Sequence, residues 1–366
     1  MSSCNLLCVG DKAPTKMEYA PLFFGDTGNI SRIDKIVYPR LEDLFKYGFS
    51  KVWTWTAINF KEDIIGFKKF DKIGERIFLL NNGFQFLMDN GVSNIYFYLT
   101  LISTNTELGL NYGYIAQNEQ IHNNSYSFGL MQLFGSQAND KINVVHKDSF
   151  VKSRMDKEIG DAEEFIEYVI KQGNRDRKAF ELIFKVLLDT ILIENVKFPF
   201  SFFTTYSLNK AYDNAIQGFT LLIKMINRDE QDYHVPVNKE VLKILRKQYP
   251  EVWDSLKEYT LSLIDKVEQQ EKEWVDYLLK DGSFNGFNKE ICYYFIEHRI
   301  DDTLKKLGFS KKYNHPVTDF ISWYNDYRKI ENQNASLQEV SNNNYEKGTI
   351  KNDLKENLAE LREVYG

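Results

Sequence analysis

The sequence has few cysteines, prolines and glycines, with 3, 7 and 20 of them among its 366 residues. Three cysteines cannot form a framework of disulfide bridges, so we expect a reducing, cytoplasmic environment. The low proline and glycine content argues against a loop-rich or all-β chain. The sequence contains no 18-residue apolar run free of charge, and its first residues lack the pattern of a signal peptide. We therefore expect neither a membrane span nor secretion.

Positive charge is not in excess, because 46 lysines and arginines stand against 52 aspartates and glutamates. The net charge is −6, the isoelectric point is near 5.6, and no basic stripe stands out. These features do not support direct binding to nucleic acid. Apolar residues, in contrast, make up 43% of the chain and aromatic residues 15%. Such a composition is typical of a globular protein with a large core.

Apolar residues recur at intervals of three and four through most of the chain, which is the period of an α-helix. One predicted helix starts near residue 71 and is expected to close at Gly91. Alternating patterns typical of strands are short, near Tyr96 and Val144 only. Many long helices with modest connections predict an all-α helical bundle. We interpret residues 1–20 as an N-terminal arm, 21–330 as the helical domain, and the polar, Asn-rich residues 331–366 as a flexible tail.

The segment NEQIHNNSY, residues 118–126, places three chemically active side chains in an apolar stretch. Glu119, His122 and Tyr126 stand at positions i, i+3 and i+7, so they share one face of a helix. A buried carboxylate is costly unless a cation or hydrogen-bond donors compensate it, and a metal ion is one efficient compensator. A chance Glu-x-x-His pattern on a helix surface is the alternative interpretation.

Further acidic residues occur where apolar helices are predicted. Glu194 ends the apolar run KVLLDTILIE, and Asp189 is a competing candidate on another face. Glu230 ends a second apolar helix, although a solvated helix end is the stronger interpretation of that segment alone. A di-metal bundle takes one carboxylate from each of two helices and a Glu-plus-His pair from each of two others. Asp89, near the end of FLLNNGFQFLMDNG, is then the remaining carboxylate.

With these residues assembled, the sequence resembles the small, radical-bearing subunit of class I ribonucleotide reductase, from about Phe24 to Tyr345. The most specific part is NEQIHNNSY, which is similar to the family's Glu-x-x-His-x-x-x-Tyr segment. The resemblance implies a ferritin-like bundle with additional helices. It implies that Glu119 and His122 bind a di-metal centre and that Tyr126 becomes the stable radical.

The resemblance assigns other residues one by one. It implies that the metal ligands are Asp89, Glu119, His122, Glu194, Glu230 and His234, and that the radical pocket is walled by Phe198, Phe202 and Ile226. Asp229 is expected to hydrogen-bond a buried tryptophan. That residue resembles Trp53, although Trp55 is close enough to compete. Tyr345 matches the tail tyrosine that relays the radical to the large subunit.

One position departs from the family pattern, which places a histidine three residues after the last glutamate. Here Tyr233 stands at i+3 from Glu230, and His234 stands at i+4. A π-bulge between Glu230 and His234 would absorb the extra residue, and such bulges favour functional sites. Alternatively, Tyr233 occupies the position and leaves a phenolic ligand or an open coordination site. We predict His234.

The resemblance also implies the function and the partners. The expected protein is a ribonucleoside-diphosphate reductase subunit that uses two Fe ions, or a Mn/Fe pair, to generate the radical at Tyr126. It is expected to form a homodimer and to dock on the large subunit through its C-terminal tail. A ferritin-like di-metal oxidase or oxygenase acting on a small substrate is the alternative. A helical interaction scaffold with solvated acidic residues is a third interpretation.

Overall fold

The computed structural model describes residues 21–25, 36–154 and 156–330. Within these ranges the chain is helical, with two isolated β-bridges and no strand, so the predicted all-α class is confirmed. The segments near Tyr96 and Val144 lie in helices. The predicted N-terminal arm, the predicted tail and Tyr345 lie outside the described residues.

The helices follow one another with short connections. Their bounds are α1 Pro39–Phe49, α2 Lys61–Gly66, α3 Lys72–Ile102, α4 Thr106–Phe134, α5 Ala138–His146, α6 Ser149–Ser153, α7 Asp156–Phe165, π1 Ile166–Lys171, α8 Arg177–Leu192, π2 Ile193–Lys197, α9 Phe198–Ala211, α10 Gln217–Asp229, π3 Glu230–His234, α11 Val235–Gln248, α12 Pro250–Leu278, α13 Lys289–Leu307 and α14 Asp319–Tyr327.

Four of these segments form a closed bundle. Helix α3 packs on α4 and α9, and helix α10 packs on α9 and α4. Helices α8, π2 and α9 run on without a break, as do α10, π3 and α11. The bundle therefore has four long rods, and two of them contain a π-helix at mid-length.

Helix α3 is longer than the sequence pattern predicts. It begins at the N-cap Asp71, whose Oδ1 accepts a hydrogen bond from the Gly74 N–H at 2.8 Å. It then continues through Gly91 to Ile102, so the predicted end at Gly91 is wrong. Buried apolar residues resume directly after the glycine and pack into the core, which outweighs the roughly 1 kcal/mol cost of a glycine in a helix.

The two π-helices inside the bundle share a local cause. Each is followed by a proline at the second residue of the next α-helix, Pro199 in α9 and Pro236 in α11. Proline has no N–H, so carbonyl groups one turn earlier lose their usual donor. The Phe198 N–H instead reaches the Ile193 carbonyl, five residues back, in the wider turn. These wide turns carry Glu194, Glu230 and His234.

The remaining helices cover the bundle. Helix α12 packs on α8 and α13, and α13 packs on π2 and α9. A single apolar cluster runs through the whole described chain. Within the described residues, no helix combines the length and the apolar character needed to cross a membrane.

Candidate metal centre

Two overlapping groups of carboxylate and imidazole side chains lie at the middle of the four-helix bundle. One contains Asp89, Glu119 and His122, and the other contains Glu119, Glu194, Glu230 and His234. Within each group, one ligand atom per residue lies within 4.8 Å of the others, and all six residues are completely buried. Glu119 belongs to both groups, so it lies between two potential ion positions. The structure thus brings together all six residues that the sequence predicts as ligands.

The elements that present these side chains differ in kind. Asp89 lies inside α3, and Glu119 and His122 lie one turn apart on α4. Glu194 lies in π2, and the last pair lies in π3. The π-helix expected around Glu230 is present.

The choice between Tyr233 and His234 is also visible in the geometry. His234 Nδ1 lies 2.9 Å from Glu230 Oε2 and 3.1 Å from Glu119 Oε1. The Tyr233 hydroxyl donates to the main-chain oxygen of Asn111 at 3.4 Å. The wide turn therefore points His234, and not Tyr233, at the cluster.

The electrostatics of the cluster call for added positive charge. Among the described residues, no hydrogen bond is made to either carboxylate oxygen of Asp89 or of Glu194, although His234 Nδ1 lies 3.5 Å from Glu194 Oε1. Burial, together with the nearby Glu119, raises the pKa of Asp89 well above its ordinary value. An uncompensated buried carboxylate costs several kcal/mol. Buried carboxylate oxygens and imidazole nitrogens at this spacing are suitable ligands for metal ions.

The buried carboxylates also shift the pKa values of the two histidines. Burial alone would lower the pKa of His122, but contacts with Asp229, Glu119 and Glu230 outweigh burial and raise it well above the ordinary value. For His234, Glu230 and Glu119 overcome burial in the same way. The cluster therefore holds protons on its histidines when no other cation is supplied. A metal ion would take over that compensation.

Tyr126 lies two turns after Glu119 on α4 and is completely buried. Within the described residues its hydroxyl has no hydrogen-bond partner. Burial raises the pKa of Tyr126 well above its ordinary value, and the carboxylates of Asp89 and Glu230 raise it further. The phenol is therefore neutral, buried and close to the cluster.

The three residues predicted to wall the radical pocket are all completely buried. Phe198 and Phe202 lie on α9 with their rings 5.8 Å apart, and Ile226 lies on α10. They lie on α9 and α10, which pack against α3 and α4. Their part in shielding Tyr126 remains a prediction.

A hydrogen-bonded chain leads from the cluster towards the surface. His122 Nε2 lies 3.3 Å from Asp229 Oδ2, and the Trp53 indole N–H donates to the same oxygen at 2.6 Å. The Trp53 and His122 rings are stacked with centroids 6.0 Å apart. Trp55, the competing candidate, lies in a 3₁₀ turn and is only partly buried. The predicted Asp229–tryptophan bond is thus made by Trp53.

Sequence reasoning missed the residues that hold Asp229. Arg228 donates to Asp229 Oδ1 through Nε at 3.1 Å and Nη2 at 2.8 Å, and Asn118 Nδ2 lies 3.3 Å from Oδ2. Arg228 keeps its own place by donating to the Lys51 carbonyl. The adjacency of Arg228 and Asp229 was a usable signal. The role of Asn118 depends on helix packing, which no local pattern reveals.

Comparisons with known proteins agree with this geometry. A family model described as "Ribonucleotide reductase, small chain" matches residues 31–320. The beta subunit of ribonucleoside-diphosphate reductase 1 from Salmonella typhimurium is 25% identical over 360 residues, which cover 91% of this chain and 93% of that protein.

Solved structures show the same fold. The ribonucleotide reductase R2 subunit from Clostridium botulinum matches with a TM-score of 0.77 and 19% identity, covering 87% of this chain and 99% of that one. A Streptococcus sanguinis protein described as dimanganese(II)-NrdF matches with a TM-score of 0.65 and 16% identity, covering 81% and 99%. The expected ferritin-like bundle is confirmed by these structures.

Proposed function

Because the chain belongs to the ribonucleotide reductase small-chain family, we propose that it oxidises Tyr126 to a tyrosyl radical for use by a separate large subunit. The chain is the small, radical-generating subunit of ribonucleoside-diphosphate reductase, and the family implies partnership with the large subunit. The large subunit would use the radical to reduce ribonucleotides to deoxyribonucleotides.

The family and the ligand cluster fit a dinuclear metal centre. We assign one ion to Asp89, Glu119 and His122, and a second to Glu119, Glu194, Glu230 and His234. Carboxylates with two imidazoles favour iron or manganese over zinc or copper. We propose two Fe ions, with a Mn/Fe pair as the alternative. When bound, these ions would supply the activation of oxygen that oxidises Tyr126.

The protein's contribution at Tyr126 is a dry and proton-retaining site. Since burial raises the pKa of Tyr126 well above its ordinary value, loss of the proton alone is unfavourable. Its oxidation must therefore remove the proton together with the electron. The buried rings of Phe198 and Phe202, with Ile226, exclude water and reductants from the resulting radical.

The chain His122–Asp229–Trp53 is the proposed route by which the radical leaves. Its contacts of 3.3 Å and 2.6 Å join the metal cluster to an indole near the protein surface. Trp53 is 7% exposed, so it ends the buried part of the route. We propose that Tyr345 continues the route within the tail, which docks on the large subunit.

We further propose a cytoplasmic homodimer. Phe97, Leu101 and Leu110 are large apolar side chains with 46%, 59% and 40% of their surface exposed. Phe97 and Leu101 share one face of α3. Leu110 lies one turn before Gly113 on α4, and Gly113 faces Thr100 of α3. An apolar surface at the α3–α4 seam supports burial against a second copy.

The observation that carries the proposed function is a buried phenol beside six convergent candidate ligands. It is tested by loading the purified chain with Fe(II), admitting oxygen, and recording metal content and the low-temperature electron paramagnetic resonance (EPR) spectrum. We expect metal at the dinuclear level and a tyrosyl signal in the native chain, and no such signal in Tyr126→Phe. Metal content should stay native in that variant, because Tyr126 is not a ligand.

Tyr112→Phe is the matched control. Tyr112 also lies on α4, is completely buried, and has no hydroxyl partner within the described residues, but only burial raises its pKa. This variant should keep the native signal. An unchanged tyrosyl signal in Tyr126→Phe would refute the assignment. Bound metal without any tyrosyl signal in the native chain would favour the di-metal oxidase instead.

A further inference from the structure

Helix α13 lies outside the four-helix bundle, yet one of its side chains reaches both π2 and π3. Arg299 Nε donates to the main-chain oxygen of Asn195 at 2.7 Å. Its Nη2 donates to Asn195 Oδ1 at 2.6 Å and to Gln231 Oε1 at 2.7 Å. Asn195 directly follows Glu194 in π2, and Gln231 directly follows Glu230 in π3. The guanidinium of Arg299, a residue that is 8% exposed, therefore joins the two wide turns.

A second bond closes the connection. The Gln231 side-chain amide donates through Nε2 to the main-chain oxygen of Glu194. The Gln231 amide oxygen thus accepts from Arg299, and its NH2 group donates to π2, the turn that carries Glu194. The path Arg299–Gln231–Glu194 therefore connects the main chain of Glu194, a proposed ligand in π2, to the residue next to Glu230, a proposed ligand in π3.

The acceptors in π2 are open because of Pro199. In the wider turn the Phe198 N–H is used by Ile193, and Pro199 has no N–H to offer the Glu194 carbonyl. The same proline removes the α-helical donor of the Asn195 carbonyl, four residues before it. A buried carbonyl without a donor destabilises the fold. Gln231 and Arg299 supply those two missing donors.

Helix α13 also fixes the Asn195 side chain. Arg299, Thr303 and Lys306 stand at i, i+4 and i+7, on one face of the helix. Asn195 Nδ2 donates to Thr303 Oγ1 at 2.6 Å, and Lys306 Nζ donates to Asn195 Oδ1 at 2.7 Å. Both polar atoms of the Asn195 side-chain amide are therefore hydrogen-bonded to α13. These bonds fix the position of the oxygen that accepts from Arg299.

We propose that Arg299 and Gln231 are positioning residues that set the distance between Glu194 and the Glu230–His234 pair, and thereby the affinity of the second ion site. This inference rests on the proposed metal centre. Within the described residues, neither Arg299 nor Gln231 hydrogen-bonds to Asp89, Glu119 or His122. The first ion site is built on α3 and α4, so this connection reaches it indirectly, through the shared Glu119 and through Glu230 Oε1, which lies 3.2 Å from His122 Nδ1. Losing the Arg299–Gln231 connection should therefore weaken the second ion site more than the first.

The test is a Mn(II) titration of the full-length chain, read by EPR and by bound Mn per chain. The native chain should bind two ions with the broad spectrum of a coupled pair. Arg299→Met and Gln231→Leu should weaken the second ion by about 10–100-fold, the usual effect of removing such support. At limiting Mn(II), both variants should show the six-line spectrum of an isolated ion. Arg299→Lys should recover part of the affinity, since it keeps the charge but not the forked geometry.

Arg246→Met is the matched control. Arg246 also donates to a main-chain carbonyl of α13, that of Leu307 at 3.0 Å, and stacks on the Trp253 ring at 3.6 Å. Within the described part of the chain it makes no hydrogen bond or ion pair with π2 or π3, so its loss should lower the melting temperature and leave the coupled spectrum intact.

The outcomes separate the two proposals. Two coupled ions of native affinity in both Arg299→Met and Gln231→Leu would overturn the positioning role. Equal weakening in Arg246→Met would also overturn it, by showing a general loss of stability. If Arg299→Met does not fold, Gln231→Leu decides, because it leaves α13 and its ion pairs intact. Absence of Mn(II) binding by the native chain would instead refute the proposed metal centre.

Discussion

Replacing Trp53 by phenylalanine gives the sharpest test of the proposed radical exit. The change deletes the indole N–H that donates to Asp229 Oδ2 at 2.6 Å. That oxygen keeps two contacts, with His122 Nε2 and Asn118 Nδ2, both at 3.3 Å. Good N–H···O bonds are about 2.7–3.2 Å long, so the remaining contacts compensate little.

The cost follows from this geometry. A hydrogen bond to a charged group contributes about 1.5–3 kcal/mol, and we expect the upper part of that range at a buried oxygen without a strong substitute. For large domains about 1 kcal/mol corresponds to about 2 °C in melting temperature. The predicted decrease is therefore about 6 °C by differential scanning calorimetry.

The functional effect should be selective. Trp53→Phe leaves the six proposed ligands and Tyr126 unchanged, so the tyrosyl signal should still form. Ribonucleotide reduction with the large subunit should be lost, because the route from His122 ends at Asp229. Trp55→Phe, two residues away and only partly buried, is the control and should keep both properties. Native reduction rates in Trp53→Phe would refute the proposed exit.

Two further predictions concern stability away from the centre. Burial raises the pKa of Asp63 to about 6, from 3.8. The protonated form therefore stabilises the fold below about pH 4, and this contribution, about 3 kcal/mol, is lost as the pH rises through about 6. Asp63→Asn should lack this pH dependence in urea unfolding between about pH 4 and pH 7, and an unchanged profile would contradict the reasoning. Gly66→Ala would place a Cβ 2.0 Å from the Ala215 carbonyl oxygen, and we expect it to lower the free energy of unfolding by at least about 1–3 kcal/mol. Gly160→Ala, where the added Cβ meets open space, should raise the free energy of unfolding by about 0.5–1 kcal/mol. Equal unfolding midpoints for the two variants would contradict this.

Local periodicity predicted part of the centre. Glu119, His122 and Tyr126 share a helix face in the structure as their spacing predicts. Pro199 has no N–H, which opens helical hydrogen bonding just before it, and the wide turn π2 lies there. The extra residue between Glu230 and His234 is contained in π3. These features depend on neighbours within two helical turns, so a sequence pattern can reveal them.

Other features could not be predicted locally. Gly91 looks like a helix end in sequence, but buried side chains on both sides carry α3 through it. Asp189 and Glu194 both stand in an apolar run, and packing brings only Glu194 into the ligand cluster. The pairing of Arg299 with Gln231 joins residues 68 positions apart. Such choices depend on which faces meet.

The sequence by itself determined the helical class, the face of α4 that carries Glu119, His122 and Tyr126, and the sites where proline opens a helix. These are consequences of a fixed period and of a missing N–H group. Only the tertiary structure decided that His234, and not Tyr233, points at the carboxylate cluster and that Trp53 bonds Asp229. Those outcomes depend on distances between side chains on separate helices, which packing of the whole core fixes.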